Sequence, residues 1–308
     1  MIKVIASDMD GTLLGDDHKI APETQVAIKR ACDAGIRFMV ATGRNFRGAM
    51  DALKDTDITC DYILSSGAEV RNPQREVVKR TPIPIDLCEE VYEELKEYPV
   101  SVIFFTDRYD YRPAPVHRLM ERLGTKKEIE DGIIRQIRLF HMDKNDSDEK
   151  IRNSAQFLQI AGNTRGISDI RSLEECETPV YKIFIFAGDV DMLQEIGEKL
   201  GQNPELAVAS SFILNQEVTE VRAQKGPVLK EYIESLGYTM DEVMVLGDSF
   251  NDYSMLSMDF GATVAMGNSV PGIKEVAKYI TKTNQEFGVA WAIDQAIAAG
   301  DGELKLQK

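Results

Sequence analysis

The chain has 308 residues, 43% of them hydrophobic, with 36 basic against 51 acidic side chains and a formal net charge of −15. That length allows one or two domains around a sizeable core, and the acidic balance excludes a generic nucleic-acid binder, whose surface is basic. No apolar run is long enough for a membrane helix, and Cys32, Cys60, Cys88 and Cys176 form no Cys-x-x-Cys pair, which excludes a zinc ribbon and reads as reduced thiols in a cytoplasmic protein. His18, His117 and His141 stand in no metal-ligand spacing.

In chain order, "KVIAS" is a short β-branched strand that ends on two aspartates, Asp8 and Asp10. "PETQVAIKRACDAG" is a helix, with Pro22 at its first turn and Gly35 just past its end. "IRFMVAT" is a second strand, "GRNFRGAMDAL" a second helix, and "YILSSGAEV" a third strand running into a turn. Alternation of this kind predicts a parallel sheet with helices on its faces. Pro82 and Pro84 then interrupt the chain before an amphipathic helix, and the following stretch to about residue 215 is more mixed. Within it "PVSVIFFTDRYDYR" reads as a strand and turn, "VYKIFIFAG" as a strand and "DVDMLQEIGEKLG" as a helix. The first pattern returns with "EVMVLGDSFNDYSML", "ATVAMGNSVPGIKEVAKY" and the closing helix "GVAWAIDQAIAAG". The expected fold is α/β: a Rossmann-like parallel-sheet core over 1–82 and 218–308, split by an inserted α+β domain over 83–217.

Open α/β sheets bind ligands beyond the carboxyl ends of their strands. Here those ends are chemically unusual. The first carries Asp8 and Asp10, the second Thr42-Gly43-Arg44, and a late one Asp248, Ser249, Asn251 and Asp252; Lys225-Gly226-Pro227 opens a helix. Brought together, Asp8 and Asp248 with oxygens from around Asp10 make a hard-oxygen site suited to Mg²⁺. Thr42, Lys225, Asn251 and helix-start N–H groups suit the oxygens of a phosphate. A carboxylate attacking a phosphate dianion meets repulsion that a divalent cation and Lys225 would offset, and Asp8 could then become an aspartyl-phosphate. Asp10, two residues on, lies on the same side of an extended segment, where it could protonate the leaving alkoxide. Thr42 also reads as the N-cap of the second helix.

In order, "DMDGTLL", "ATGR", the "KG" before a helix and "GDSFND" resemble the four motifs of the haloacid dehalogenase superfamily. An insertion between the second and third motifs, with "SSGAEV" and "VAMGNSV", is similar to its Cof-type sugar-phosphatase branch. The resemblance implies Asp8 as nucleophile and Asp10 as general acid/base. It implies Asp8, the Asp10 carbonyl and Asp248 as Mg²⁺ ligands, and Thr42, Gly43, Lys225 and Asn251 as phosphate binders. Asp252 would support Lys225 or a metal-bound water, Arg44 is a candidate for substrate contact or an ion pair, and the inserted domain would be a cap that reads the leaving group. Where that branch often has Asn-Gly-Ala, this chain has Ser66-Gly67-Ala68, so a substrate contact by residue 66 is not carried over.

These readings converge on a Mg²⁺-dependent phosphatase for small phosphorylated metabolites, sugar phosphates foremost, with a small phosphate ester as the partner. A phosphomutase, or a receiver-like phosphoacceptor without fast turnover, are the alternatives. Nothing in the sequence sets the oligomeric state.

Overall fold

The computed structural model describes residues 1–113, 130–134, 136–137, 147–167, 169–175, 178–302 and 304–307. His117, His141 and Cys176 lie outside the described residues. The chain divides into two compact units, Met1–Thr81 with Val221–Lys308, and Pro82–Glu220.

The first unit opens with β1 (Val4–Ser7), β2 (Arg37–Ala41), β3 (Asp61–Leu64), β4 (Glu69–Arg71) and β5 (Val77–Arg80). The inserted unit contributes β6 (Ser101–Thr106), β7 (Asp110–Pro113), β8 (Thr164–Ile167), β9 (Val180–Phe186), β10 (Leu206–Ala209) and β11 (Asn215–Glu220). β12 (Val243–Gly247), β13 (Ala262–Ala265) and β14 (Tyr279–Ile280) return to the first unit.

Eight strands of the first unit form one sheet in the order β14-β13-β12-β1-β2-β3-β4-β5. The six from β14 to β3 are parallel, and β4 and β5 add an antiparallel edge. The sequence predicts the parallel core but not that edge. "AEVRNPQREVVKR" is too charged to signal strands by its apolar pattern, and the hairpin is held instead by a turn in which Arg75 takes a positive φ of 67°. The central strands are buried on both faces, and so read as continuous apolar runs. Ile5, Phe38, Val40, Met244 and Leu246 face helices Pro22–Asp33 and Gly288–Ala299. Val4, Ala6, Met39, Ile63 and Val245 pack with Leu229 and Ile233 of helix Lys225–Ser235 on the other side.

The inserted unit holds a six-stranded sheet, β10-β11-β9-β6-β7-β8. Every pairing is antiparallel except β7 with β8. Helices Ile85–Leu95 and Val190–Leu200 bury Leu87, Val91, Leu193 and Ile196 against Phe104, Ile183 and Val218 of that sheet. Between β6 and β7 the Tyr109 region is a hairpin turn, with Thr106 Oγ1 donating to the Tyr109 carbonyl at 2.6 Å.

Candidate active site

β1 and β12 are neighbours in register, with Ser7 opposite Leu246. Their carboxyl ends therefore deliver Asp8 and Asp248 side by side. The ladder runs one step further, since Asp8 N–H donates to the Leu246 carbonyl at 3.0 Å. Lys225, at the start of its helix, is fully withdrawn from water and donates to Asp8 Oδ1 and Asp252 Oδ1, both at 2.6 Å. The helix can sit this close because residue 226 is glycine: a Cβ there would stand 1.9 Å from the Ser254 carbonyl oxygen.

Asp252 is buried, and its second oxygen accepts from the N–H groups of Asp248 at 2.9 Å and Ser249 at 3.2 Å. Thr12 Oγ1 donates to Asp248 Oδ1 at 2.8 Å. Asp8, Asp248 and Asp252 each offer an oxygen within 4.8 Å of the others. Three carboxylates and one ammonium leave buried negative charge in excess. Asp8 is accordingly pushed well above the carboxylate range, by burial first and the Asp252 charge second, against the pull of Lys225. Asp248 is pushed up to about 7, by burial and then by Asp252, with the Thr12 bond opposing. Burial works against the charge on Lys225 too, but Asp252 and Asp8 outweigh it and hold its pKa above the ordinary lysine value.

The segment after Asp8 turns rather than continuing the strand, although Asp10 itself keeps extended dihedrals (φ −75°, ψ 124°). Residues 9–13 wind into a tight turn closed by Leu14 N–H to the Met9 carbonyl at 2.8 Å. Gly11 sits at φ 75°, and a Cβ there would lie 2.5 Å from Asp248 Oδ2. The turn swings the Asp10 carboxylate to Arg44, which grips it through Nε at 2.7 Å and Nη2 at 2.6 Å. Burial works to raise the Asp10 pKa, but the Arg44 bonds and charge outweigh it and hold the carboxyl below its ordinary range. Arg44 is thus an ion-pair partner of Asp10, the structural one of its two readings.

Thr42 is buried, but its hydroxyl accepts from Arg44 N–H at 3.1 Å. The helix Phe46–Leu53 is capped by Asn45, whose side chain accepts from Gly48 N–H at 2.9 Å. The N-cap role expected of Thr42 therefore belongs to Asn45, three residues later. Gly43 lies in the bend between them. Ser66 takes φ 60° in the turn after β3 and donates its N–H to the Thr42 carbonyl at 3.0 Å. Asn251 accepts from Ser249 Oγ at 2.8 Å, within its own loop.

The structure thus joins Asp8, Lys225, Asp248 and Asp252 directly, pairs Asp10 with Arg44 beside them, and ties Thr42 to the Arg44 and Ser66 backbones. Thr12 was not singled out from the sequence. The available signal was a hydroxyl inside "DGT", two residues past Asp10.

The family model of haloacid dehalogenase-like hydrolases matches residues 5–293. The chain belongs to that family. It is an enzyme, a haloacid dehalogenase-like phosphatase similar to the Cof-type branch. It is 29% identical over 303 residues to the 5-amino-6-(5-phospho-D-ribitylamino)uracil phosphatase YwtE of Bacillus subtilis, covering 96% of this chain and 99% of that one. It is 24% identical to the pyridoxal phosphate phosphatase YbhA of Escherichia coli, covering 94% of this chain and 96% of that one. Among solved structures, a haloacid dehalogenase-like hydrolase from B. subtilis superposes with a TM-score of 0.78 at 26% identity, over 95% of this chain and 99% of that one. No helix among the described residues is long and apolar enough to cross a membrane.

Proposed function

We propose that the chain is a Mg²⁺-dependent phosphatase that cleaves small phosphorylated metabolites, sugar phosphates foremost, through a phosphoryl group held on Asp8. The observation that carries this reading is Lys225 between Asp8 and Asp252, beside the Asp248 carboxylate. Asp8, Asp248 and the Asp10 backbone carbonyl would hold Mg²⁺. The donor set fits the ion, because carboxylates largely withdrawn from water, with one ammonium among three of them, are hard oxygen ligands short of counter-charge. Bound there, Mg²⁺ would neutralise charge on the phosphate oxygens.

Asp8 presents its free carboxylate oxygen to phosphorus. As that bond forms, the ester oxygen leaves with its electron pair and takes a proton from Asp10. Water then attacks the phosphorus of the aspartyl-phosphate, giving its proton back to Asp10 and freeing the Asp8 carboxylate. Lys225 spends two of its three donors on Asp8 and Asp252, and the third would serve a phosphate oxygen. Thr42, Gly43 and Asn251 would hold the remaining oxygens. Asp10 can act as an acid only when Arg44 loosens its grip, so that ion pair belongs to the resting state. Such a site must supply much of a very large acceleration by positioning and electrostatics, because a general acid alone gives typically about 10²–10⁴.

The reading of small metabolites is supported by the relatives named above, whose own substrates are phosphorylated small molecules. The inserted unit, 82–220, would act as the cap that selects the leaving group. Asp8→Asn tests the proposal: it should abolish phosphate release from an aryl phosphate while leaving the far-UV circular dichroism unchanged. Retained release would remove Asp8 as nucleophile. A stable phosphoprotein with no free phosphate would instead support a regulatory phosphoacceptor.

A further inference from the structure

We propose that Asn268 is a positioning residue for the Mg²⁺ site, acting through the turn that carries Asp10; the inference rests on the Mg²⁺ reading above. Asn268 follows β13 and is exposed, so packing does not explain it. Its side chain instead spans two distant segments of backbone. Nδ2 donates to the Gly11 carbonyl at 2.8 Å, and Oδ1 accepts from Asn284 N–H at 2.9 Å. A carbonyl can only accept and an N–H can only donate, so these partners fix which end of the amide is which. Asn284 in turn donates its own Nδ2 to the Leu14 carbonyl at 3.0 Å. Two amides thereby hold one carbonyl at the middle of the turn and one just past its end.

The consequence is geometric. Each residue has only two soft dihedrals, so fixing the Gly11 carbonyl restrains the peptide before it, which bears the Asp10 carbonyl. Gly11 is the residue at φ 75°, where glycine has the widest freedom and where the turn most needs an external restraint. On the other side of Gly11, Thr12 reaches Asp248. Asn268 therefore holds the one residue that lies between a proposed backbone ligand and the hydroxyl that orients a proposed carboxylate ligand. Outer partners of metal ligands typically contribute about 10–100-fold in metal affinity, and an exposed amide belongs at the lower end of that range.

The test is Mg²⁺ titration by calorimetry on the full chain without substrate, joined to the Mg²⁺ dependence of phosphate release. Asn268→Ala should weaken Mg²⁺ binding about 10-fold and raise the Mg²⁺ concentration needed for half-maximal rate by the same factor. At saturating Mg²⁺ the substrate KM should return to the unsubstituted value, which general damage to the fold would not allow. Asn284→Ala keeps the backbone N–H that orients Asn268 and removes only the Leu14 bond, so it should weaken Mg²⁺ less. Unchanged Mg²⁺ affinity in Asn268→Ala, or greater damage from Asn284→Ala, overturns the inference and leaves the phosphatase reading standing. Failure of the unsubstituted chain to bind Mg²⁺ overturns the metal reading and this inference together.

Discussion

Lys225 Nζ stands 2.6 Å from Asp8 Oδ1, with both side chains withdrawn from solvent. A second bond of the same length ties it to Asp252. Removing the ammonium strands two buried carboxylates. Breaking one partner out of a buried ion pair costs about 3–5 kcal/mol. Lys225→Met should therefore unfold at clearly lower denaturant concentration and lose phosphate release. Asp252→Asn should lose less stability, because the amide oxygen can still accept from one of its former donors. Equal stability of Lys225→Met and the unsubstituted protein in a urea titration would show that the triad is not fully desolvated.

Acid–base behaviour of the metal-free protein follows from Asp248. Its folded value is about 7, raised by burial and then by Asp252, whereas an unfolded aspartate titrates near 3.9. Between those values the folded state binds the extra proton, so this group's contribution to stability falls as pH rises through the window and is flat above it. The proton and Mg²⁺ compete for the same carboxylate. Affinity for Mg²⁺ should rise with pH through that window, and the thermal shift caused by Mg²⁺ should grow with it. A Mg²⁺ affinity independent of pH would contradict the assignment of Asp248 as a ligand.

Arg44 sets the readiness of Asp10. Its bonds hold the Asp10 carboxyl ionised against the effect of burial. In Arg44→Met that restraint is gone, and burial raises the Asp10 pKa against only the weaker pull of His18 and Lys225. With an alkyl phosphate, whose leaving group needs a proton, the basic limb of the kcat/KM profile should move to higher pH. An aryl phosphate, with its better leaving group, should show a smaller movement. A basic limb that stays in place for both substrates would separate Arg44 from the acid.

Much of this arrangement was legible because it is carried by local chemistry. Pro22 and Gly35 bound the first helix, and continuous apolar runs mark β1, β2 and β12, because buried parallel strands have no polar face. The carboxylates at the ends of β1 and β12 could be read as a site because adjacent parallel strands present their carboxyl ends together. Other features depend on contacts across the chain that no local pattern encodes. The partner of the Asp10 side chain follows from the Gly11 turn and the position of Arg44, 34 residues on, and strand alternation does not name it. The β4–β5 edge is polar and short, so its strands lack an apolar period. Asn268 reads as an ordinary turn residue until its amide is seen to reach the backbone of a segment 257 positions away.

Steric tolerance at Gly226 gives a separate check on the helix that brings in Lys225. Gly226→Ala places a methyl group 1.9 Å from the Ser254 carbonyl oxygen. The helix must shift, at a cost of about 1–3 kcal/mol for overpacking. Loss of phosphate release should exceed the loss of stability, since displacement of Lys225 harms the site before it harms the core. Full activity in Gly226→Ala, measured beside its urea midpoint, would mean that the helix has room the structure does not show.

The most direct measurement is acid quenching during turnover, followed by mass spectrometry of the peptides. One phosphoryl group should appear on the peptide containing Asp8, accumulate within a single turnover and vanish when substrate is exhausted. A phosphoryl group on any other residue, or steady turnover with Asp8 never modified, would contradict covalent catalysis at this carboxylate.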